Sequence, residues 1–229
     1  MTVHVTNVSD RVAANVDSVP IEPVKQSFGI YRSAFKRLFD IAFVLLAAPF
    51  VVPFVLIVCA IIAVDGHSPF FKQERVGKDG RRFTLWKLRT MVPDAEALLT
   101  QHLDEDDAAR AEWSVKQKLT SDPRITRFGR ALRRTSIDEL PQLINVLTGD
   151  MSLVGPRPMM PSQQSLYPGR AYYKLRPGIT GPWQVSKRNE TGFSERARYD
   201  DFYDETMSLS LDVRILFRTV IAVVRGTGC

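Results

Sequence analysis

Apolar residues are distributed along this chain in three unlike patterns, and each predicts a different kind of element. Ile41–Val64 runs for 24 residues without a charge. A straight helix rises ~1.5 Å per residue, so this stretch would extend about 36 Å, enough for a hydrocarbon layer of ~30 Å. Phe70–Met91 instead alternates around Gly77-Lys78-Asp79-Gly80, the pattern of a short β-hairpin. Beyond Pro93 the apolar positions recur at helical spacing. Leu98, Leu99 and Leu103 mark a helix within Pro93–Leu119, and Ile125, Phe128 and Leu132 form a stripe within Arg124–Arg134. Leu140, Leu143, Ile144 and Leu147 predict a third buried face, and Ser208–Arg225 is a last apolar-rich helix. The expected fold is membrane-associated and mainly α with one short β-hairpin. Residues 1–34 lack steady periodicity and read as a disordered tail; 35–67 form the membrane element, and 68–229 a cytosolic domain with interfacial amphipathic helices.

Charge placement bears on how the apolar stretch meets the membrane. Lys25, Arg32, Lys36 and Arg37 precede it, and Lys72, Arg75, Lys78, Arg81 and Arg82 follow it. Lysine and arginine favour the cytoplasmic side, so both flanks are pulled the same way. Pro49 and Pro53 sit inside the stretch, where each lost N–H favours a bend. A helix that dips in, bends near Pro49–Pro53 and returns satisfies both facts. A single span stays open, because re-entry requires partners for the freed carbonyls.

The chain has 31 basic and 25 acidic residues, a net charge of +6 and a pI near 9.5, which suits nucleic acid, anionic lipid or phosphorylated substrates. No nucleic-acid-binding module accompanies that charge, and no P-loop, nucleophile elbow or dinucleotide fingerprint is present. Cys59 and Cys229 make no disulfide framework, and His4, His67 and His102 are scattered, against a zinc site. A metal here would be a hard cation held by carboxylate and phosphate oxygens, which points to Mg²⁺.

Candidate chemistry concentrates in Thr135–Leu147. Asp138 and Glu139 stand together at the start of a helical pattern, downstream of Arg124, Arg127, Arg130, Arg133 and Arg134 and upstream of the stiff Gly155-Pro156-Arg157-Pro158 loop. Ser136 and Glu139 also have capping-box spacing, and from spacing alone helix capping is the favoured account of the acids. Pro141 divides two outcomes: the helix starts near Ile137, or it starts nearer Leu140 with both acids on the turn before it. Lys87 and Arg89, two apart on a strand, make either a solvated face or an anion site. Trp183-Gln184-Val185 follows a basic, glycine-broken loop that could stack a base and grip a diphosphate or serve as a turn. Asp104–Asp107 and Asp200, Asp201 and Asp204 read as surface acids. Arg214, Arg218 and Arg225 share one side of the last helix, the pattern of an interfacial helix or of a core helix with a salted rim.

Taken in order, Lys36-Arg37-Leu38-Phe39-Asp40, Gln73-x-Arg75-x-Gly77, Lys87-Leu88-Arg89-Thr90-Met91, Ser136-Ile137-Asp138-Glu139-Leu140-Pro141-Gln142, Val154-Gly155-Pro156-Arg157-Pro158 and Arg176-Pro177-Gly178-Ile179-Thr180-Gly181 resemble a known family over about Phe35 to Arg225. This is the monotopic polyprenyl-phosphate phosphoglycosyl transferases of bacteria, the undecaprenyl-phosphate galactose and glucose phosphotransferase type that starts exopolysaccharide and related glycans. The resemblance implies a re-entrant helix broken at Pro53, with Val52 where the family usually has serine, and a basic pair at the membrane interface, Lys36 and Arg37. It implies Asp138 as nucleophile on the β-phosphate of a UDP-sugar, Glu139 beside it, and Mg²⁺ as cofactor held by both. Arg133, Arg157 and Arg176 become the phosphate candidates, with Lys87 and Arg89 behind them. The implied partners are a UDP-sugar, polyprenyl phosphate and membrane lipid at the cytoplasmic face of the bacterial inner membrane. A homo-oligomer stays open, since an interfacial helix pairs or does not, and nucleic acid is not expected.

Overall fold

The computed structural model describes residues 30–116, 119–186 and 193–224. Most of the tail expected over 1–34, and Lys187, Arg188, Asn189 and Arg225, lie outside the described residues. A π-helical turn, Tyr31–Phe35, leads into α1 (Lys36–Ile62). The hairpin β1 (Phe70–Val76) and β2 (Arg82–Leu88) follows, then α2 (Ala95–Glu105), α3 (Asp107–Lys116), α4 (Arg127–Arg134) and α5 (Gln142–Thr148). The last elements are β3 (Ser152–Val154), α6 (Ala171–Lys174), β4 (Gly178–Thr180), α7 (Arg196–Thr206) and α8 (Leu209–Val224). The mainly helical fold and the hairpin agree with expectation; the β3–β4 parallel pair was not legible, because three residues per strand are too few to show a period.

α1 is helical through Pro49 and Pro53, so Pro53 does not end the helix. Each ring still removes one N–H and leaves the carbonyl four residues earlier without its usual donor. Long enough and apolar enough to cross a membrane, α1 is buried only near its two ends, at Lys36, Asp40 and Val44 and again at Val58 and Cys59. Its middle faces away from protein, with Leu46 and Phe50 76% and 80% exposed. Val44 joins the main core, with Leu85, Val146, Leu153, Leu175, Tyr203 and Ile215, whereas Val58 and Cys59 pack in a cluster with Leu88 and Leu132.

The first end of α1 is fixed by buried charge. Lys36 Nζ lies 2.8 Å from Asp212 Oδ2 and 3.3 Å from Asp40 Oδ1. Asp40 also accepts from Ser152 Oγ at 2.8 Å and from the Leu153 amide at 3.2 Å; Asp212 accepts from the hydroxyls of Tyr31 and Tyr203, both at 2.6 Å. Arg37 caps α5 by donating to the carbonyls of Val146 and Leu147. Neutralising Asp212 takes away the nearer of the two carboxylates on Lys36 and the charged acceptor of two tyrosine hydroxyls, leaving Lys36 with Asp40 at 3.3 Å. Asp212→Asn is therefore expected to cost about 3 kcal/mol, read as a fall in apparent Tm by intrinsic fluorescence in detergent.

Several expected boundaries shift for local reasons. The single helix expected over Pro93–Leu119 divides at Asp106, whose extended backbone ends α2 and whose carboxylate accepts from the Ala108 and Ala109 amides to start α3. Phe128, expected in the core, is 38% exposed. Gly129 takes the packing position instead, against the Thr90 carbonyl, where a Cβ would stand 2.0 Å from that oxygen. Ile144 and Leu147 also point outward, while Gln142, Asn145 and Val146 are buried. Asp200 is no surface acid: it is buried, accepts from Tyr167 Oη at 2.7 Å, and burial pushes its carboxyl up to about 7.

Candidate active site

Asp138 and Glu139 lie on a single 3₁₀ turn, Ile137–Glu139, before Pro141 and the start of α5. The capping box does not form. Ser136 adopts a left-handed backbone (φ 55°) and terminates α4 rather than starting α5, and its side chain makes no cap bond. A serine in that region is strained by about 1 kcal/mol or more, and the strain presents both acids at a corner between two helices.

β2 brings the cation. Asn145 on α5 binds the edge of that strand as a neighbouring strand would, accepting from the Trp86 amide at 3.2 Å and donating to the Thr84 carbonyl at 2.8 Å. That register sets Lys87 Nζ 2.7 Å from Glu139 Oε1 and 3.7 Å from Asp138 Oδ2. Arg133, half-buried, is steadied by Nε donating to Thr90 Oγ1 at 2.8 Å, and its charge bears on Asp138. Burial raises the Asp138 carboxyl above the usual carboxylate range; Lys87 and Arg133 oppose that shift and Glu139 adds to it. Were this carboxyl to attack as a nucleophile it would need its ionised form, and kcat/KM would then fall on the acid side about tenfold per pH unit, with its midpoint above the ~3.9 of a free aspartate. Lys87→Met should move that midpoint further up, which a pH–rate profile of the two proteins measures.

An open cleft beside Glu139 is lined by Arg75, Leu85, Lys87, Gln142, Arg157, Pro158 and Ile179. Two of its neighbouring cations escaped the sequence reading as site residues. Arg75 donates to the Pro158 carbonyl at 3.3 Å and to Gln73 Oε1 at 2.5 Å, yet its Nε is buried without a partner. Arg196 also has a partnerless buried Nε, and its guanidinium stands 4.1 Å over the Trp183 ring, with Arg157 6.0 Å from the same ring. Burial, and then the charge of Arg157, push both Arg75 and Arg196 down to about 10. Mutual depression among cations marks a place where a multivalent anion would be welcome. The Gln73-x-Arg75 motif was the available signal for the first; nothing in the sequence distinguished Arg196 from a surface arginine.

Two expected phosphate residues lie elsewhere. Arg89 is occupied by the end of α1, donating to Asp65 at 2.6 and 2.7 Å and to the carbonyls of Ser68 and Ile62. Arg176 donates to the Gly149 carbonyl and lines a second cleft that shares no residue with the first. For Mg²⁺, no group of three metal-ligating side chains exists among the described residues. Two adjacent carboxylates are nevertheless a sufficient protein contribution for an ion that fills its shell with water and substrate phosphate. Glu139, nearer the cleft, and Asp138 are the side chains that would hold it.

The chain thus combines a helix long and apolar enough to cross a membrane, held at its ends, with a carboxylate pair beside Lys87 and Arg133. A sequence profile described as Bacterial sugar transferase matches residues 31–226, and the chain belongs to that family. It is 42% identical over 213 residues to a UDP-galactose-lipid carrier transferase of Erwinia amylovora, covering 92% of this chain and 45% of that protein. It is 39% identical over 196 residues to the exopolysaccharide production protein ExoY of Sinorhizobium fredii, 84% of this chain and 87% of that protein. A UDP-glucose:undecaprenyl-phosphate glucose-1-phosphate transferase of Klebsiella pneumoniae is 34% identical over 226 residues, 93% of this chain and 45% of that protein. The chain thus spans less than half of the galactose and glucose transferases and most of ExoY.

Proposed function

We propose that this protein transfers a sugar 1-phosphate from a UDP-sugar to polyprenyl phosphate, releasing UMP, and so initiates exopolysaccharide or a similar glycan. The observation that carries the reading is Asp138: a carboxylate only 6% exposed, placed with Glu139, Lys87 and Arg133 beside a cleft walled by arginine. In the first step an Asp138 oxygen bonds to the β-phosphorus of the donor while the bond to the bridging oxygen breaks, and UMP departs with that electron pair. In the second a polyprenyl phosphate oxygen attacks the same phosphorus, and the mixed anhydride opens to return the carboxylate. Dividing transfer in this way lets a soluble donor and a lipid acceptor use the cleft in turn. Arg75, Arg157 and Arg196 suit the diphosphate, with Trp183 as a plane for the nucleotide end. Lys87 holds the two carboxylates apart from one another's charge. Mg²⁺, when bound, would neutralise charge on the transferred phosphoryl group.

Seating in a membrane is supported by the exposed apolar surface. On α8, Leu209, Val213, Phe217, Val220 and Val224 form one exposed stripe, Arg214 and Arg218 occupy the next sector, and Asp212 and Ile215 face the core. That division suits a helix lying in the headgroup layer, and Ile144 and Leu147 extend the same kind of surface beside the carboxylates. A re-entrant α1 is supported by its two tethers, Lys36 and Arg37 at one end and Arg89 with Leu88 and Leu132 at the other, which reach one and the same domain. A straight span would put those ends on opposite faces of the bilayer. In a background with Cys59→Ala and Cys229→Ser, Gln26→Cys and Lys72→Cys should react with an impermeant maleimide from the cytoplasmic side only; opposite-side labelling would overturn re-entry.

Purified protein incubated with UDP-galactose, UDP-glucose and other UDP-sugars, polyprenyl phosphate and Mg²⁺ tests the reaction. UMP release dependent on one sugar is the expected result. UDP release would replace the reading with ordinary glycosyl transfer.

A further inference from the structure

The second cleft lies at the root of α1. Arg32, Lys36, Lys78, Lys174 and Arg176 line it, together with Asp40, Ser152, Tyr203 and Met207, and it encloses about 450 Å³ of non-protein space, solvent included. Five segments supply those cations, one each: the turn before α1, α1 itself, the tip of the β1–β2 hairpin, α6, and the segment entering β4.

Charge in this cleft does not balance. Lys36 is paired with Asp40 and Asp212, and Arg32 and Lys174 share a single carboxylate, Asp204. Among the described residues Lys78 forms no ion pair and Arg176 donates through Nε alone, to the Gly149 carbonyl at 2.8 Å. Five cations thus face three carboxylates. The Gly149 bond fixes the plane of the Arg176 guanidinium while leaving its terminal nitrogens to donate, the arrangement that suits a phosphate oxygen pair. Depth identifies the source. Lys36 is the first residue of the apolar helix, so once α1 is seated in the bilayer the cleft lies in the headgroup layer, beside exposed Phe35 and Leu38.

We propose that this cleft binds the phosphate of an anionic phospholipid, separately from the donor and acceptor handled at Asp138. Its occupant ties the hairpin tip, α6 and the β4 segment to the root of α1. The inference rests on membrane seating of α1 and not on the reaction, so loss of UMP release would leave it standing.

Native mass spectrometry of the full chain released from nanodiscs tests it. Phosphatidylglycerol should be retained over phosphatidylcholine. The double variant Lys78→Gln/Arg176→Gln should retain it about 30-fold more weakly, the effect of two cations near an anionic surface. Arg176→Lys on the native background should keep most of the retention, and Lys87→Gln, in the other cleft, should leave it unchanged. Unchanged melting of the double variant in detergent shows that it folds. Equal retention of both phospholipids, or equal retention by the double variant, overturns the proposal. Displacement by millimolar inorganic phosphate assigns the cleft to a soluble anion and overturns the lipid source. Selective retention of polyprenyl phosphate alone assigns the cleft to the acceptor and overturns its separateness.

Discussion

Asp138→Asn should abolish turnover while leaving the protein at least as stable as before. The amide keeps the shape of the side chain and removes the charged oxygen that the proposed mechanism uses as nucleophile, so both UMP release and covalent labelling by a radiolabelled UDP-sugar should fall by a factor on the order of 10⁴ or more. The stability half of the result follows from the raised carboxyl. A group whose folded pKa exceeds its unfolded value takes up protons on folding, so it favours the native state at low pH and opposes it once ionised in both states. Burial is the main cause of the raised value at Asp138, and neutral pH lies above the free aspartate range. The charge therefore costs the folded protein stability where the enzyme works, as is usual for an active site. An apparent Tm equal to or above that of the native protein, together with lost labelling, separates a chemical defect from a folding one. Normal turnover by the amide would end the covalent mechanism but leave family and fold untouched.

Glu139→Gln should differ in kind. Glu139 holds Lys87 at 2.7 Å, and losing that partner leaves the ammonium with Asp138 alone, at 3.7 Å. On the proposed mechanism the nucleophile stays and a proposed Mg²⁺ ligand is lost, so labelling should survive at reduced rate and the Mg²⁺ concentration needed for half-maximal turnover should rise.

How far the sequence could be read depended on whether a signal was local. The uncharged run of α1 and the hairpin turn at Gly77–Gly80 are written in consecutive residues, and both elements form where expected. The chemistry of Thr135–Leu147 was visible, but its geometry was not. Ser136 and Glu139 have capping-box spacing, and only the packing of α4 shows that Ser136 ends one helix instead of starting another. Apolar periodicity after Leu140 marked the buried side only in part: Leu143 packs against the main core, but Ile144 and Leu147 face outward, and Asn145, polar and seemingly outward, is buried to hold β2. A pattern of apolar positions cannot distinguish a core from a bilayer, because both reward the same side chains. Arginines posed the same difficulty, since Arg75 lines the cleft with Arg196 in electrostatic reach of it, while Arg89 and Arg176 bond elsewhere, for reasons that lie in long-range contacts.

The Val154–Pro158 and Arg176–Gly181 motifs, read separately as two stiff loops, are one structure, and this makes Gly178→Ala a strongly damaging substitution. The Gly155 amide donates to the Thr180 carbonyl at 2.9 Å, the Gly178 amide to Pro156 at 2.8 Å, and the Ser152 amide to Pro177 at 2.8 Å. Backbones this close leave no room for a methyl group. A Cβ on Gly178 would stand 2.1 Å from the Gly155 nitrogen and 2.3 Å from the Thr180 oxygen, and neither atom can yield without opening the pair. Overpacking by one methyl group commonly costs 1–3 kcal/mol, and opposition by backbone on two sides places this site at about 3 kcal/mol or above. For a chain of this size that is a fall in Tm of roughly 6–12 °C. Gly66→Ala is the control. Gly66 has a left-handed φ of +82° but open space around it, so alanine there meets backbone strain alone, about 1 kcal/mol. Because Arg157 and Ile179 line the cleft from the two crossing segments, Gly178→Ala should also raise the KM for the UDP-sugar, whereas Gly66→Ala should not. Equal losses of Tm in the two variants would show that the crossing is not what holds the cleft together.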